Sequence, residues 1–404
     1  MKFALLMSSR TKIILVLGVL SAIGPLSIDM YLPAFTNIAK ALQCSPEQMG
    51  YTLSSFFFGI CLGQLVNGPL LDHYGRKKVL YIGLGLYVIS SFACAMSSSV
   101  EPLIVWRFFQ AIGCSVGWIA PNAVIRETFE ESERPKILSL MILILGVSPI
   151  LAPSIGSMLL TFGSWKFIFI LLAIIILLIL ILIRQWLPEK VQDENRGPFH
   201  VKKIVHAYVA LFSNRRFVLF AFAGAIGAGS IFTFVSGAPP TFLQYYGASE
   251  SQFGWIFGLV ASGIISASQA NNLVIKKFTS MQILRVALLV QFLICFILSI
   301  GAKLGWLQLE TNILLLFLIL ACQGFIFPNL TSQALRPFHQ GAGAASAMMG
   351  AIQMAWGAIC AALLGMLFDG TPFTMAIIML LCASIANILF SFIKKQKEHT
   401  QSPA

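Results

Sequence analysis

Ile13-Ile14-Leu15-Val16-Leu17-Gly18-Val19-Leu20-Ser21-Ala22-Ile23-Gly24-Pro25-Leu26-Ser27-Ile28-Asp29-Met30 is an apolar run broken by a single charge, Asp29. A helix rising ~1.5 Å per residue needs about 20 such residues to cross roughly 30 Å of hydrocarbon, so this run with its flanks reads as a membrane span. Eleven further runs of the same kind begin near Met49, Val79, Pro102, Ile137, Phe167, Phe217, Phe253, Gln282, Ile313, Ala344 and Phe373. Composition agrees. Of 404 residues, 58% are hydrophobic and only 10% charged, where a soluble domain carries about a quarter charged, and the mean hydropathy is +0.86. The expectation is an all-α membrane protein with twelve transmembrane helices. The stretch from Met1 to Gly24 has the basic start and apolar centre of a secretory signal, but the run continues past it to Met30, so an uncleaved first span is expected.

Loop charge gives the orientation. When the loops are alternated from a cytoplasmic N-terminus, 27 Lys and Arg divide unevenly: only Lys40, Lys166 and Lys303 fall outside and Arg107 falls within a span, while all others lie inside. That asymmetry places both termini in the cytoplasm. It also accounts for the net charge of +12 without a single basic face, so nucleic acid is not an expected partner. The eight cysteines show no metal-ligand spacing, and all but Cys44 lie in expected spans, as small packing residues. No metal site is expected. There is no His-Glu-x-x-His or Gly-x-Ser-x-Gly pattern, and His73, His200, His206, His339 and His399 all fall in loops or the tail, so the chain does not read as an enzyme.

The chain also repeats itself. Ser45, Gln48, Gly50 and Tyr51 before the second run match Ser249, Gln252, Gly254 and Trp255 before the eighth, and Gln64 and Asn67 recur as Gln269 and Asn272. The longest polar interval lies between the two copies. It divides the chain into an N-terminal six-helix bundle over 1–187, a cytoplasmic linker over 188–215 containing Gly197-Pro198, and a C-terminal bundle over 216–404. Parallel repeats of this kind form a solute site between halves, near the bilayer midplane.

Four motifs carry a family resemblance. Gly68-Pro69-Leu70-Leu71-Asp72-His73-Tyr74-Gly75-Arg76-Lys77-Lys78, between spans two and three, resembles the signature of the major facilitator superfamily. Physically, Gly68 admits a close helix approach, Gly75 a tight turn, and Asp72 can meet Arg76. Span four, from Arg107-Phe108-Phe109-Gln110 to Arg126-Glu127, resembles the second family motif, with Ala111 and Glu127 as departures. Span five, from Gly146 through Pro149 and Pro153 to Gly156, resembles the motif that marks drug/proton antiporters, where the prolines bend the helix and the glycines admit a neighbour. Gly24-Pro25-Leu26-Ser27-Ile28-Asp29-Met30-Tyr31-Leu32-Pro33-Ala34, with Gly163-Ser164-Trp165-Lys166, closely resembles the Bcr/CflA type of drug-resistance transporter. The resemblance implies the major facilitator fold of two pseudo-symmetric bundles and a monomer. It further implies that Asp72, Arg76 and Glu127, with Gly68 and Gly75, form an inner-side latch.

Asp29 and Arg107 are the only charged residues well inside the spans, and intramembrane charges mark transport pathways. Span one runs outward and span four inward, which puts Asp29 about 6 Å and Arg107 about 8 Å from the outer boundary of a core of about 30 Å. The expectation is two opposite charges at one height, facing each other across a solute-sized gap. Gly18, Ala22, Pro25 and Asp29 share a face of span one, and Arg107, Gln110, Cys114, Trp118 and Pro121 share one of span four. Further cavity candidates are Tyr31, Gln64, Asn67, Gln323 and Gln353, with Phe232, Phe234, Trp255, Gln269, Asn272, Asn329 and Trp356 behind them. Aromatic and amide groups suit a small amphiphilic drug better than a sugar. The expected function is export of such drugs in exchange for protons in the bacterial inner membrane, with Asp29 as the coupling carboxylate. Export of an endogenous metabolite or amino acid remains an alternative. The proton gradient drives either, so no cofactor is expected, and the partners are drugs, protons and membrane lipids.

Overall fold

A computed structural model describes residues 9–187, 199–338 and 342–393. Twelve helices are long and apolar enough to span a membrane: one Arg10–Ala41, two Gln48–Tyr74, three Arg76–Ala95, four Val100–Thr128, five Lys136–Leu160, six Lys166–Trp186, seven Arg215–Tyr245, eight Glu250–Val274, nine Ser280–Leu304, ten Leu309–Leu335, eleven Gly343–Leu367 and twelve Phe373–Ser391. Helices are the expected solution, because in hydrocarbon every backbone donor must be satisfied within its own segment. Exposed apolar side chains on spans three, six, nine and twelve, such as Ile82, Leu178, Leu293 and Ile388, form the surface that such a solvent tolerates.

The repeat has a local cause. Ser45 and Ser249 each cap the helix they precede: the Ser45 and Ser249 N–H groups donate to Gln48 and Gln252 side chains at 2.9 and 2.8 Å, and the glutamine N–H groups donate back to the serine hydroxyls. The repeat extends into the bundles. Ser27 and Tyr87 share a hydrogen bond of 2.6 Å between spans one and three, and Gln291 donates to Ser230 at 3.0 Å between nine and seven. One amide pairing must be corrected. Asn67 donates to Ser115 at 2.8 Å, tying span two to four, and its equivalent in the second half is the buried Asn271, which accepts from Asn329 of span ten at 2.8 Å. Gln269 and Asn272 are exposed, so residue type alone misplaces the equivalent of Asn67 by one position.

Spans one and seven are both irregular near the same end, and span seven is also broken near its middle. After Asp29, span one passes through a turn and a 3₁₀ segment Leu32–Ala34 before resuming at Phe35, while span seven breaks at Ala228 and ends in a π-helical turn over Pro240–Tyr245. Pro33 removes a backbone donor at the 3₁₀ segment, and Pro239 and Pro240 do so at the π-helical turn. Span five, by contrast, runs unbroken through Pro149 and Pro153.

The interval expected as a plain polar linker contains a helix, Val201–Phe212. Ile204, Tyr208 and Leu211 give it an apolar stripe that packs on the second half, and the Tyr208 hydroxyl donates to the Leu65 carbonyl at 3.1 Å. Residues 188–198, with Gly197-Pro198, lie outside the described residues, as do Lys2, Lys190, Arg196, His339, Lys394, Lys395, Lys397 and His399.

Candidate transport site

A cavity of about 1140 Å³ opens between the two sets of six spans, on the side carrying the basic loops. Its mouth holds Asp72, His73, Arg76, Arg126, His200 and Lys203; deeper, its wall is Ser21, Gln64, Trp118, Gly350, Gln353 and Met354. The opposite side is shut. There, Asn37 of span one donates to the Glu250 carboxylate at 3.0 Å and Ser157 of span five donates to the Glu250 carbonyl at 2.7 Å. Beneath them Ser54 donates to the Ala358 carbonyl at 2.8 Å, and the Phe57 and Phe232 rings meet edge to face at 5.0 Å.

Arg107 is fully buried, and it does not reach this cavity. Its guanidinium lies 4.1 Å from the centre of the Phe56 ring and 4.7 Å from that of Tyr31, and it donates to the Ser27 carbonyl at 3.1 Å and the Gln110 side chain at 2.8 Å. Gln110 in turn donates to Ser91 at 2.8 Å. Asp29 ends the α-helix of span one, is 5% exposed, and receives no hydrogen bond from any described residue. Among the described residues it is the only buried carboxylate, and Arg107 the only buried base.

The expected gap between the two charges is therefore absent. Arg107 does lie level with the last turn of span one, as the Ser27 bond requires, but Ser27 and Asp29 stand about 200° apart around that helix. Arg107 faces the packed interior of the first bundle, while Asp29 faces elsewhere, and no ion pair joins them. Spans one and four approach closely at Gly117, where a Cβ would lie 2.7 Å from the Leu20 carbonyl oxygen, and the cavity lining stops near this level, at Ser21 and Trp118. The stripe Arg107, Gln110, Cys114, Trp118 is real, yet only Trp118 lies low enough to line the cavity.

Of the other candidates, Gln64 and Gln353 are on the wall. Tyr31 bonds Thr52 at 2.9 Å, Asn67 bonds Ser115, and Gln323 donates to the Gly227 carbonyl at 2.7 Å; all three are buried in helix contacts. Phe234 stacks on Phe257, Trp255 is exposed at the shut end, and Phe232, Asn329 and Trp356 pack away from the wall. Ser21, Asn122 and Met354 were not singled out from the sequence. Asn122 was findable, since it follows Trp118 by one helical turn on the same face.

The motif residues between spans two and four do assemble. Arg76 donates to Asp72 and to Glu127, each at 2.8 Å, and Gly75 adopts φ 85°, ψ 160°, a conformation open to glycine alone. All three charged residues belong to the first half, however, and the cavity stands open beside them, so in this conformation they brace spans two, three and four and close nothing. Gly68 faces the cavity with nothing within 4 Å of a Cβ, so it serves no close helix contact. In span five, Gly156 lies directly on the Met30 carbonyl, next to Asp29, and Gly146 packs on Ile265 of span eight. That helix thus joins span one to the second half.

The fold recurs in known proteins. Residues 17–364 match the Major Facilitator Superfamily. The Bicyclomycin resistance protein homolog of Haemophilus influenzae is 30% identical over 382 residues, covering 94% of this chain and 95% of that protein. The Uncharacterized MFS-type transporter YdgK of Bacillus subtilis is 32% identical over 394 residues, covering 96% of each. Among solved structures, a bacterial homolog of the human lysosomal transporter Spinster, inward-facing and unoccupied, superposes with a TM-score of 0.75 at 14% identity, covering 95% of this chain and 96% of that one. The chain is a multi-pass membrane transporter and belongs to the Major Facilitator Superfamily, among the Bcr/CflA-type transporters that its first span resembles.

Proposed function

We propose that the protein exports small amphiphilic drugs from the cytoplasm in exchange for protons, by alternating access, in the bacterial inner membrane with both termini and the basic loops cytoplasmic. One observation carries the coupling: Asp29 is a buried carboxylate without a donor, at the C-terminal end of a helix, where the dipole opposes negative charge. The likeness to a Haemophilus protein named as a bicyclomycin resistance protein homolog supports a drug as the cargo.

The state with the cavity open to the basic side is the drug-loading state. In it the Met30 carbonyl sits against Gly156 of span five, and the following Leu32–Ala34 segment meets spans seven and eight of the second half, so Asp29 lies at the seam between the halves that must part when the protein opens the other way. A proton on Asp29 leaves a neutral side chain that this seam accommodates. Its loss creates a bare charge that favours the alternative state, in which water reaches the carboxylate. Drug enters at the cavity and the proton acts at the seam, about 12 Å along span one from Ser21 at ~1.5 Å per residue. Drug held in the cavity draws the halves together on the basic side and so favours the alternative state, whereas the proton favours this one; the two compete through the conformational equilibrium and not for one spot. Addition of drug to the detergent-solubilised protein is expected to release protons from the wild type and not from Asp29→Asn. Equal release from both refutes the coupling role.

A further inference from the structure

The charge of the cavity bears on which drugs it can take. Six ionisable residues line it, all toward the mouth, and their balance is basic: Asp72 is bonded to Arg76, which is bonded also to Glu127, while Arg126 and Lys203 form no ion pair with any described residue. The deeper wall, from Ser21 and Gln64 to Gln353 and Met354, contains no charge. Asp29, the carboxylate that could have served as a counter-ion, is held outside the wall.

A lipophilic cation entering such a space passes a mouth of net positive charge and loses its hydration without gaining a partner. A neutral solute meets two glutamine amides and a serine hydroxyl that can donate or accept, and an anion is drawn in by the mouth. We infer that the cavity selects neutral and anionic amphiphiles and rejects permanent organic cations. This rests on the cavity being the drug site, as proposed above.

Probes of nearly one shape separate charge from size: tetraphenylphosphonium, tetraphenylborate and the neutral triphenylphosphine oxide. Binding to the full chain in a nonionic detergent is followed by quenching of tryptophan fluorescence, with Trp118→Phe identifying the part of the signal that arises in the cavity. The neutral and anionic probes are expected to bind at least about tenfold more tightly than the cation, the scale of one uncompensated charge near 10 Å at intermediate dielectric. Lys203→Glu should narrow the preference of anion over cation, and Ser21→Glu, which puts a carboxylate on the deep wall, should raise cation affinity about tenfold. Tighter or equal binding of tetraphenylphosphonium by the wild type overturns the charge selection and leaves the export reading standing. Absence of Trp118-dependent quenching by all three probes overturns both.

Discussion

At the scale of single residues, the two intramembrane charges are handled by opposite means. Arg107 is held where it stands: aromatic rings cover its faces and one guanidinium nitrogen, Nη1, donates to both the Ser27 carbonyl and Gln110, linking spans one and four, while Nε and Nη2 stay unpartnered among the described residues. Lysine keeps the charge but loses the flat cation that the rings cover. Arg107→Lys is therefore expected to cost roughly 1–2 kcal/mol of stability, seen as a lower midpoint of thermal unfolding in detergent. An unchanged midpoint would show that the ring contacts contribute nothing. Asp29 has no such support, and an unsupported buried charge is what a proton switch requires. The chemistry of both residues was legible in the sequence, because charge inside an apolar run stands out. Their mutual orientation was not, because helical phase from one span carries no information on how its neighbour is rotated or how closely it approaches.

At the scale of elements, the internal repeat is a matter of helix starts and interhelical bridges. The matched Ser45/Gln48 and Ser249/Gln252 pairs are capping boxes, so what reads in the sequence as similarity is a shared solution for the free N–H groups at the start of spans two and eight. Ser45→Ala and Ser249→Ala are expected to destabilise the protein to a similar extent, roughly 0.5–2 kcal/mol each, measured by thermal unfolding in detergent. A large difference between them would refute the equivalence of the two starts. The buried amides were harder to align. Asn271, not Asn272, occupies the place of Asn67, and only the contact with span ten reveals which of two adjacent asparagines turns inward. The helix Val201–Phe212 was legible in principle from the spacing of Ile204, Tyr208 and Leu211, but Lys202 and Lys203 just ahead of them, and the charged stretch before those, made the interval look merely polar.

At the scale of the whole molecule, the conformation is set by which end of the seam is bonded. Asn37, Ser157 and Glu250 hold spans one, five and eight together at the shut end, whereas on the basic side the Asp72, Arg76 and Glu127 cluster stays within one half. Glu250→Ala removes the charge-assisted bond to Asn37 and should shift the population toward the state open at that end. The labelling rate of Thr36→Cys by an impermeant maleimide, in a Cys44→Ser background, is expected to rise roughly three- to tenfold. No change in rate would show that this bond does not bias the two states. The sequence by itself determined the solvent, the number of spans, the duplicated plan and the identity of the two buried charges, since each follows from hydropathy, length and pattern along one strand of chain. Tertiary structure alone decided that Arg107 is walled into a bundle, that Asp29 lies in a seam and not on the cavity wall, and that the cavity is basic at its mouth and uncharged at depth. Those outcomes depend on the approach of helices at contacts such as Gly117 with Leu20 and Gly156 with Met30, where the absence of one Cβ sets how closely two spans meet and which side chains the remaining space admits.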